Sequence, residues 1–323
     1  MLNIEDKMIE LLKEGVTFTK LKSKTGVCSS ELVKKMNSLK NKGYIINKQF
    51  NEKVVKFVIG NNIIDTLNDN VKINVDNKFT FLVLSDTHIG NVYENMSLVN
   101  NLYKYAEEHN IKYVLHLGDM VEGSSLKENN DARIKRNTLQ EQVDYLTRYY
   151  PKYDSINTLY ILGNHDNRWR NEGIDISKII DNRRYDMHCL GYKNSKITIG
   201  GRNILLHHPF TIERDEKYDE EIKRLYSESY FDLILRGHTH HNGIYINRAN
   251  SIVVHVPACY NSPTRKYTGA YAVTLKNYEL ELTQLIIDSN VDEISHIKFP
   301  FFDNANDNYH YESNKKLEKL KKQ

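Results

Sequence analysis

Residues 78–305 of this 323-residue chain are predicted to form an α/β fold, on two observations. Short apolar runs recur through the segment at 79–85 (FTFLVLS), 113–117 (YVLHL), 158–162 (TLYIL), 203–206 (NILL) and 233–235 (LIL). Each is too short for a helix and apolar at consecutive positions, as strands buried on both faces are. The second observation concerns the carboxyl ends of these runs. Every run ends in a compact polar cluster: Asp86-Thr87-His88, Gly118-Asp119, Gly163-Asn164-His165-Asp166, His207-His208-Pro209 and Gly237-His238-Thr239-His240.

From the amino terminus, Met8, Leu11 and Leu12 mark one helix, Phe18 and Leu21 a short second, and Leu32, Met36 and Leu39 a third at i, i+4, i+7 spacing. Ser29 is the expected cap of the third helix and Gly43 its stop. Residues 44–49 and 53–59 alternate as a hairpin around Asn51-Glu52. Three helices and a hairpin resemble a winged helix-turn-helix over residues 1–60, with 29–42 as its recognition helix. Residues 61–77, polar and rich in Asn and Asp, read as a linker. Thr138 and Glu141 form a capping-box pattern for a helix reaching about residue 150. Past the last cluster, 243–246, 251–256, 270–275 and 279–286 alternate as strands and are expected to complete a second sheet. Residues 306–323 end in a lysine-rich tail.

One buried His is usually a core residue, and one Asp after a strand is usually a turn former. Five clusters in series are not explained that way, because seven of the thirteen histidines lie in or beside them. All sit at the carboxyl ends of strands, the edge at which open α/β sheets bind ligands. Residues i and i+2 of an extended segment point the same way, so Asp86 with His88, and His238 with His240, can each aim two donors at one point. Carboxylate, imidazole and carboxamide donors without cysteine suit Mn, Fe, Zn or Co. Seven such donors suffice for two ions, which, about 3.5 to 4 Å apart, can share a hydroxide for in-line attack on phosphorus.

The ordered motifs D-x-H, G-D, G-N-H-D, H-x-P and G-H-x-H resemble those of the calcineurin-like metallophosphoesterase superfamily, over about residues 80–240. The resemblance implies a two-sheet α/β sandwich flanked by helices. It also implies one metal on Asp86, His88, Asp119 and His240, and a second on Asp119, Asn164, His207 and His238. His165 would then be the non-ligand histidine that stabilises the transition state or protonates the leaving oxygen. Gly118-Asp119-Met120-Val121-Glu122-Gly123 and Gly163-Asn164-His165-Asp166 depart from the protein Ser/Thr phosphatase pattern and are closer to the phosphodiesterase and nuclease branches. The expectation is a dinuclear phosphodiesterase acting on nucleic acid, with Mn²⁺ the foremost metal. A phosphomonoesterase or small-nucleotide phosphoesterase, and a non-catalytic nucleic-acid-binding scaffold, are the alternatives.

Composition frames the partner. At 40% hydrophobic and 27% charged the chain is of ordinary globular type. No apolar stretch approaches the roughly 18 residues of a membrane span, and the amino terminus lacks the apolar run of a signal peptide. Three widely spaced cysteines, Cys28, Cys189 and Cys259, point to free thiols and a cytoplasmic setting. The net charge of +3 is uneven: residues 1–60 hold 12 Lys against 6 acidic residues, leaving 33 basic and 36 acidic in the remainder. Lys34, Lys35 and Lys42 on the third helix are therefore candidate phosphate contacts. Arg168 and Arg170, flanking Trp169 just after the third motif, are candidates for binding substrate phosphates, with the tryptophan either stacking on a base or anchoring a helix.

Overall fold

The computed structural model describes residues 3–42, 44–50, 53–60, 71–75, 78–124, 132–209, 231–247, 250–261, 268–276, 279–287 and 291–300. The expected stop at Gly43, the turn at Asn51-Glu52 and the tail at 306–323 lie outside these residues.

The amino-terminal unit runs α1 (Ile4–Lys13), β1 (Val16–Thr17), α2 (Phe18–Thr25), α3 (Ser29–Asn41), β2 (Ile45–Phe50) and β3 (Val55–Gly60). Its sheet is antiparallel in the order β1-β3-β2. The apolar positions that marked the helices meet in one core: Met8 and Leu12, Phe18 and Leu21, and Leu32, Met36 and Leu39 close on Val16 and Phe57. Gly26 ends α2 at a φ of 75°, which a side chain would resist. Ser29 is the first helical residue of α3 rather than its cap. Cys28 occupies the cap position without a side-chain hydrogen bond, so burial of the apolar stripe holds this helix.

The larger unit continues with β4 (Val71–Ile73), β5 (Lys78–Leu84), α4 (Met96–Glu108), β6 (Tyr113–His116), α5 (Leu139–Tyr149), β7 (Asn157–Leu162), α6 (Asp166–Asn171) and α7 (Ile176–Arg183). The remaining elements are β8 (Met187–Tyr192), β9 (Asn194–Ile199), β10 (Arg202–His207), β11 (Leu233–Arg236), β12 (Gly243–Ile246), β13 (Ile252–His255), β14 (Gly269–Lys276), β15 (Glu279–Ile287) and β16 (Val291–Pro300). A seven-stranded sheet, β16-β15-β14-β5-β6-β7-β8, faces a six-stranded one, β12-β13-β11-β10-β9-β4. The fold is the expected two-sheet α/β sandwich with helices.

Alternation along the central strands explains their unbroken apolar runs. Phe81, Val83, Leu115, Leu159 and Ile161 face the other sheet, where they meet Ile204, Leu206, Leu233 and Leu235. Leu82, Leu84, Val114, Tyr160 and Leu162 face the helical layer of α4, α5 and α7. Both faces are thus buried. The capping box at Thr138 and Glu141 forms as expected.

Two placements differ from the expectation. The strands at 270–275 and 279–286 join the first sheet, not the second, because β14 pairs antiparallel with β5. Buried on both faces, β5 needs a partner on each edge, and β6 supplies only one. Within the expected linker, Val71–Ile73 forms a strand parallel to β9 at the edge of the second sheet, with Ile73 buried.

The two units touch along α7 and the residues after it. The rings of Phe18 and Tyr185 stack with centroids 3.6 Å apart, Lys48 Nζ lies 3.4 Å from Asp181 Oδ2, and Asn37 Nδ2 donates to the Asn182 carbonyl at 3.5 Å. Among the described residues no helix is long and apolar enough to cross a membrane. The three cysteines are free.

Candidate metal centre

Parallel strands bring five loops to one edge. β5, β6 and β7 are parallel in one sheet, as are β10 and β11 in the other, so the residues after each strand converge. Backbone hydrogen bonds tie the loops together: Asp86 N–H donates to the Gly118 carbonyl, His88 N–H to Asp119 and Ile89 N–H to Met120, at 2.9 to 3.0 Å. The carboxylate of Asp166, fully buried, accepts from the backbone N–H groups of Met120, Val121 and Gly163 at 2.9 to 3.2 Å. It thereby fastens the β6 loop to the β7 loop.

The backbone is strained where the donors are. Of eight non-glycine residues with positive φ among the described residues, five are Asp86, His88, Asp119, His238 and His240, at 44° to 71°. Each left-handed placement costs of order 1 kcal/mol or more, and such strain gathers where function demands a particular direction. Close approach is demanded too. A Cβ on Gly163 would stand 2.3 Å from Asp119 Oδ1, and one on Gly118 2.8 Å from His208 Nδ1.

The donors fall into two groups around Asp119. Asp86, His88 and His240 offer atoms within 4.8 Å of one another, and so do Asp119, His208 and His238. Asp119 Oδ2 lies 3.1 Å from His208 Nε2 and 3.9 Å from His88 Nε2, between the groups, while its Oδ1 accepts the His165 backbone N–H at 2.8 Å. Asn164 Oδ1 lies 3.1 Å from His208 Nε2. A third group, His88, Glu122 and His165, shares the wall of the site.

Three of the imidazoles have their rings fixed from behind. His88 Nδ1 donates to Glu122 Oε2 at 2.9 Å, His208 Nδ1 to the Leu117 carbonyl at 2.6 Å, and His240 Nδ1 meets the Tyr260 hydroxyl at 3.3 Å. In each case Nε2 is left facing the centre, the outer-sphere arrangement that orients metal-binding histidines.

Electrostatics point the same way. Burial disfavours ionising Asp86 and Asp119, yet neighbouring imidazoles outweigh it: His240 and His88 hold Asp86 well below the carboxylate range, and His208 and His165 do so for Asp119. Burial likewise opposes a charge on His208, but Asp119 pushes its pKa up to about 9. His238, desolvated and beside His208, is lowered to about 4. Without a cation, then, the buried carboxylates depend on the imidazoles around them, His208 foremost for Asp119. His88 Nε2, buried, finds no hydrogen-bond partner within the described residues, although it lies 3.7 Å from Asp86 Oδ1. Carboxylates that require positive charge, around an imidazole nitrogen with nothing to bond, are a donor set that fits divalent cations.

Most of the expected site residues converge: Asp86, His88, Asp119, Asn164, His165, His238 and His240 all line this edge. His207 does not. Ile204 and Leu206 of β10 face the intersheet core, so alternation puts His208 on that face and turns His207 outward with Leu205. Fully buried, His207 is kept neutral by desolvation and by the charge of Arg236. His208 takes its place at the centre. His208→Ala is expected to lose bound metal, whereas His207→Gln retains it at a lower melting temperature. Metal analysis after dialysis, alongside thermal unfolding, checks both.

Arg170 also points elsewhere, with its guanidinium 4.3 Å above the Tyr192 ring. Trp169 is the anchor of α6, buried in the helical core with Nε1 donating to Gln142 Oε1. Arg168 does reach the centre, at 3.1 Å from His165 Nε2. Of the candidate nucleic-acid lysines, Lys42 is paired with Glu5, while Lys34 is exposed and Lys35 partly so. Glu122, Asp166 and Tyr260 also serve the centre; Asp166 closes the G-N-H-D motif and Glu122 follows Asp119 by three residues, while nothing in the sequence marks Tyr260.

The sequence description of the calcineurin-like phosphoesterase family matches residues 79–242, just over half of the chain. No curated protein matches it. Among solved structures, a conserved uncharacterized protein and predicted phosphoesterase from Streptococcus pneumoniae is 14% identical, with a TM-score of 0.38, over 70% of this chain and 99% of that one. Vacuolar Protein Sorting 29 from Cryptosporidium parvum is 16% identical, with a TM-score of 0.43, over 70% of this chain and all of that one. A dimetal phosphatase from Danio rerio is 9% identical, with a TM-score of 0.41, over 70% and 100%.

Proposed function

The chain belongs to the calcineurin-like phosphoesterase family and is a metal-dependent hydrolase of phosphoester bonds; from that premise we propose that it is a dinuclear phosphodiesterase acting on nucleic acid. The observation that carries this reading is the meeting of two donor groups at one carboxylate oxygen, Asp119 Oδ2. In this reading Asp86, His88 and His240 would hold one cation and Asn164, His208 and His238 the other, with Asp119 placed to serve either. Bound there, two cations supply an activated water and neutralise charge on the phosphoryl oxygens, and Mn²⁺ is our first choice, with Fe, Zn and Co suited to the same donors.

The protein's own groups do the rest. His165 stands beside Asn164 with its side chain part-exposed toward the centre, as a group must be to meet a leaving oxygen. Glu122 turns the His88 ring through Nδ1 and accepts His165 Nδ1–H at its backbone carbonyl, 2.8 Å away. Arg168 brings a permanent positive charge to the same wall, matched to a phosphate.

Residues 1–60 we read as a winged helix-turn-helix that recruits nucleic acid, with 78–305 as the catalytic domain. The order α1-β1-α2-α3-β2-β3 and the lysine excess support this, with Lys34 and Lys35 as phosphate contacts. Such binding is electrostatic and falls steeply with salt. Free thiols suit a cytoplasmic setting.

The test is a Mn²⁺-supplemented panel of bis-p-nitrophenyl phosphate, p-nitrophenyl phosphate, cyclic nucleotides and oligonucleotides. Cleavage of diesters and oligonucleotides supports the reading. Efficient hydrolysis of monoesters with oligonucleotides left intact would replace it with a phosphomonoesterase or small-nucleotide phosphoesterase, and inactivity toward the whole panel with a scaffold.

A further inference from the structure

Arg168 is one helical turn after His165, and its side chain folds back onto that residue. Nη2 lies 3.1 Å from His165 Nε2, and Nη1 donates to the Glu122 carbonyl at 3.1 Å. The opposite ring nitrogen, His165 Nδ1, lies 2.8 Å from the same carbonyl. A carbonyl only accepts and a guanidinium only donates. Nδ1 therefore carries the hydrogen and Nε2 offers its lone pair, so the ring is held in one tautomer and one orientation. Room for this comes from Gly123, at a φ of +79°: a Cβ there would stand 2.2 Å from the His165 carbonyl oxygen and 3.0 Å from Arg168 Cδ. The Arg168 side chain is 22% exposed, so it remains in reach of a molecule entering the centre.

These contacts differ from those of an arginine that waits in solvent for a distant phosphate. We propose that Arg168 is a positioning residue acting through His165: it holds Nε2 toward the reacting phosphate until a phosphoryl oxygen accepts the Arg168 N–H in its place, which frees Nε2 to take a proton from solvent and pass it to the leaving oxygen. The proposal rests on the reading of His165 as the group that meets the leaving oxygen.

The test uses the full chain, metal-loaded, with Arg168→Met to remove the donor and Arg168→Lys to restore part of it. On a diester with an alkyl leaving group, Arg168→Met is expected to lower kcat by about 10-fold or more with KM within about 3-fold, and Arg168→Lys to recover part of the loss. In a His165→Ala background the same change is expected to cost less than about 2-fold. Equal losses in both backgrounds, or a loss confined to KM, would overturn the proposal. A second readout needs no turnover: ¹⁵N-histidine spectra of the Zn²⁺-loaded protein should show His165 as the Nδ1–H tautomer, replaced by a mixture in Arg168→Met. Identical His165 signals in the two proteins would also overturn it. Should the loaded wild-type chain cleave no phosphodiester, the proposed function fails, while the tautomer comparison still judges Arg168.

Discussion

Asp119→Asn is expected to reduce hydrolysis to the level of the metal-free protein and to lower bound metal from two ions per chain to one at most. The substitution preserves shape: an amide oxygen can still accept the His165 backbone N–H that Oδ1 accepts now. What it removes is the negative charge between the two donor groups, the one feature that both share. His208, whose raised pKa reflects Asp119, should become easier to deprotonate in the metal-free variant, which the pH titration of its ring would register. Metal analysis and a bis-p-nitrophenyl phosphate assay on the same preparation check the prediction. Full activity with one ion bound would contradict the assignment of Asp119 to both.

The second large effect is expected at His165. His165→Ala should keep both ions, because the groups formed by Asp86, His88 and His240 and by Asp119, His208 and His238 do not need it. Turnover should fall by about 10² to 10⁴, the range for losing a positioned proton donor. The loss should be smaller for a nitrophenyl leaving group than for an alkoxide, since nitrophenolate departs without a proton. Comparing the two substrates in wild type and variant measures this directly. Loss of bound metal in His165→Ala would move the residue from catalyst to ligand.

The architecture was legible in the sequence where local chemistry is strong. Five apolar runs, each ending in donors, predicted the central strands and the edge on which the site lies, and Thr138 with Glu141 marked the start of α5. Long-range pairing was not. Nothing in 270–275 or 279–286 says which sheet they enter, because that depends on the free edge of β5. The His207-His208 pair shows the finer difficulty. In a run apolar on both faces, such as 203–206, the sequence does not reveal which parity faces the other sheet, so adjacent histidines look equivalent until the strand is placed. Tyr260 is silent in the sequence because its partner is an imidazole from another loop, and although Asp166 closes the third motif, spacing carries no trace of the β6-loop backbone amides that it accepts from.

A crystal of the protein soaked in Mn²⁺ and measured for anomalous scattering tests the central claim most directly. The account predicts two strong peaks about 3.5 to 4 Å apart, one beside His88 and the other beside His208, with Asp119 Oδ2 between them. A single peak, or two that do not share Asp119, would contradict it.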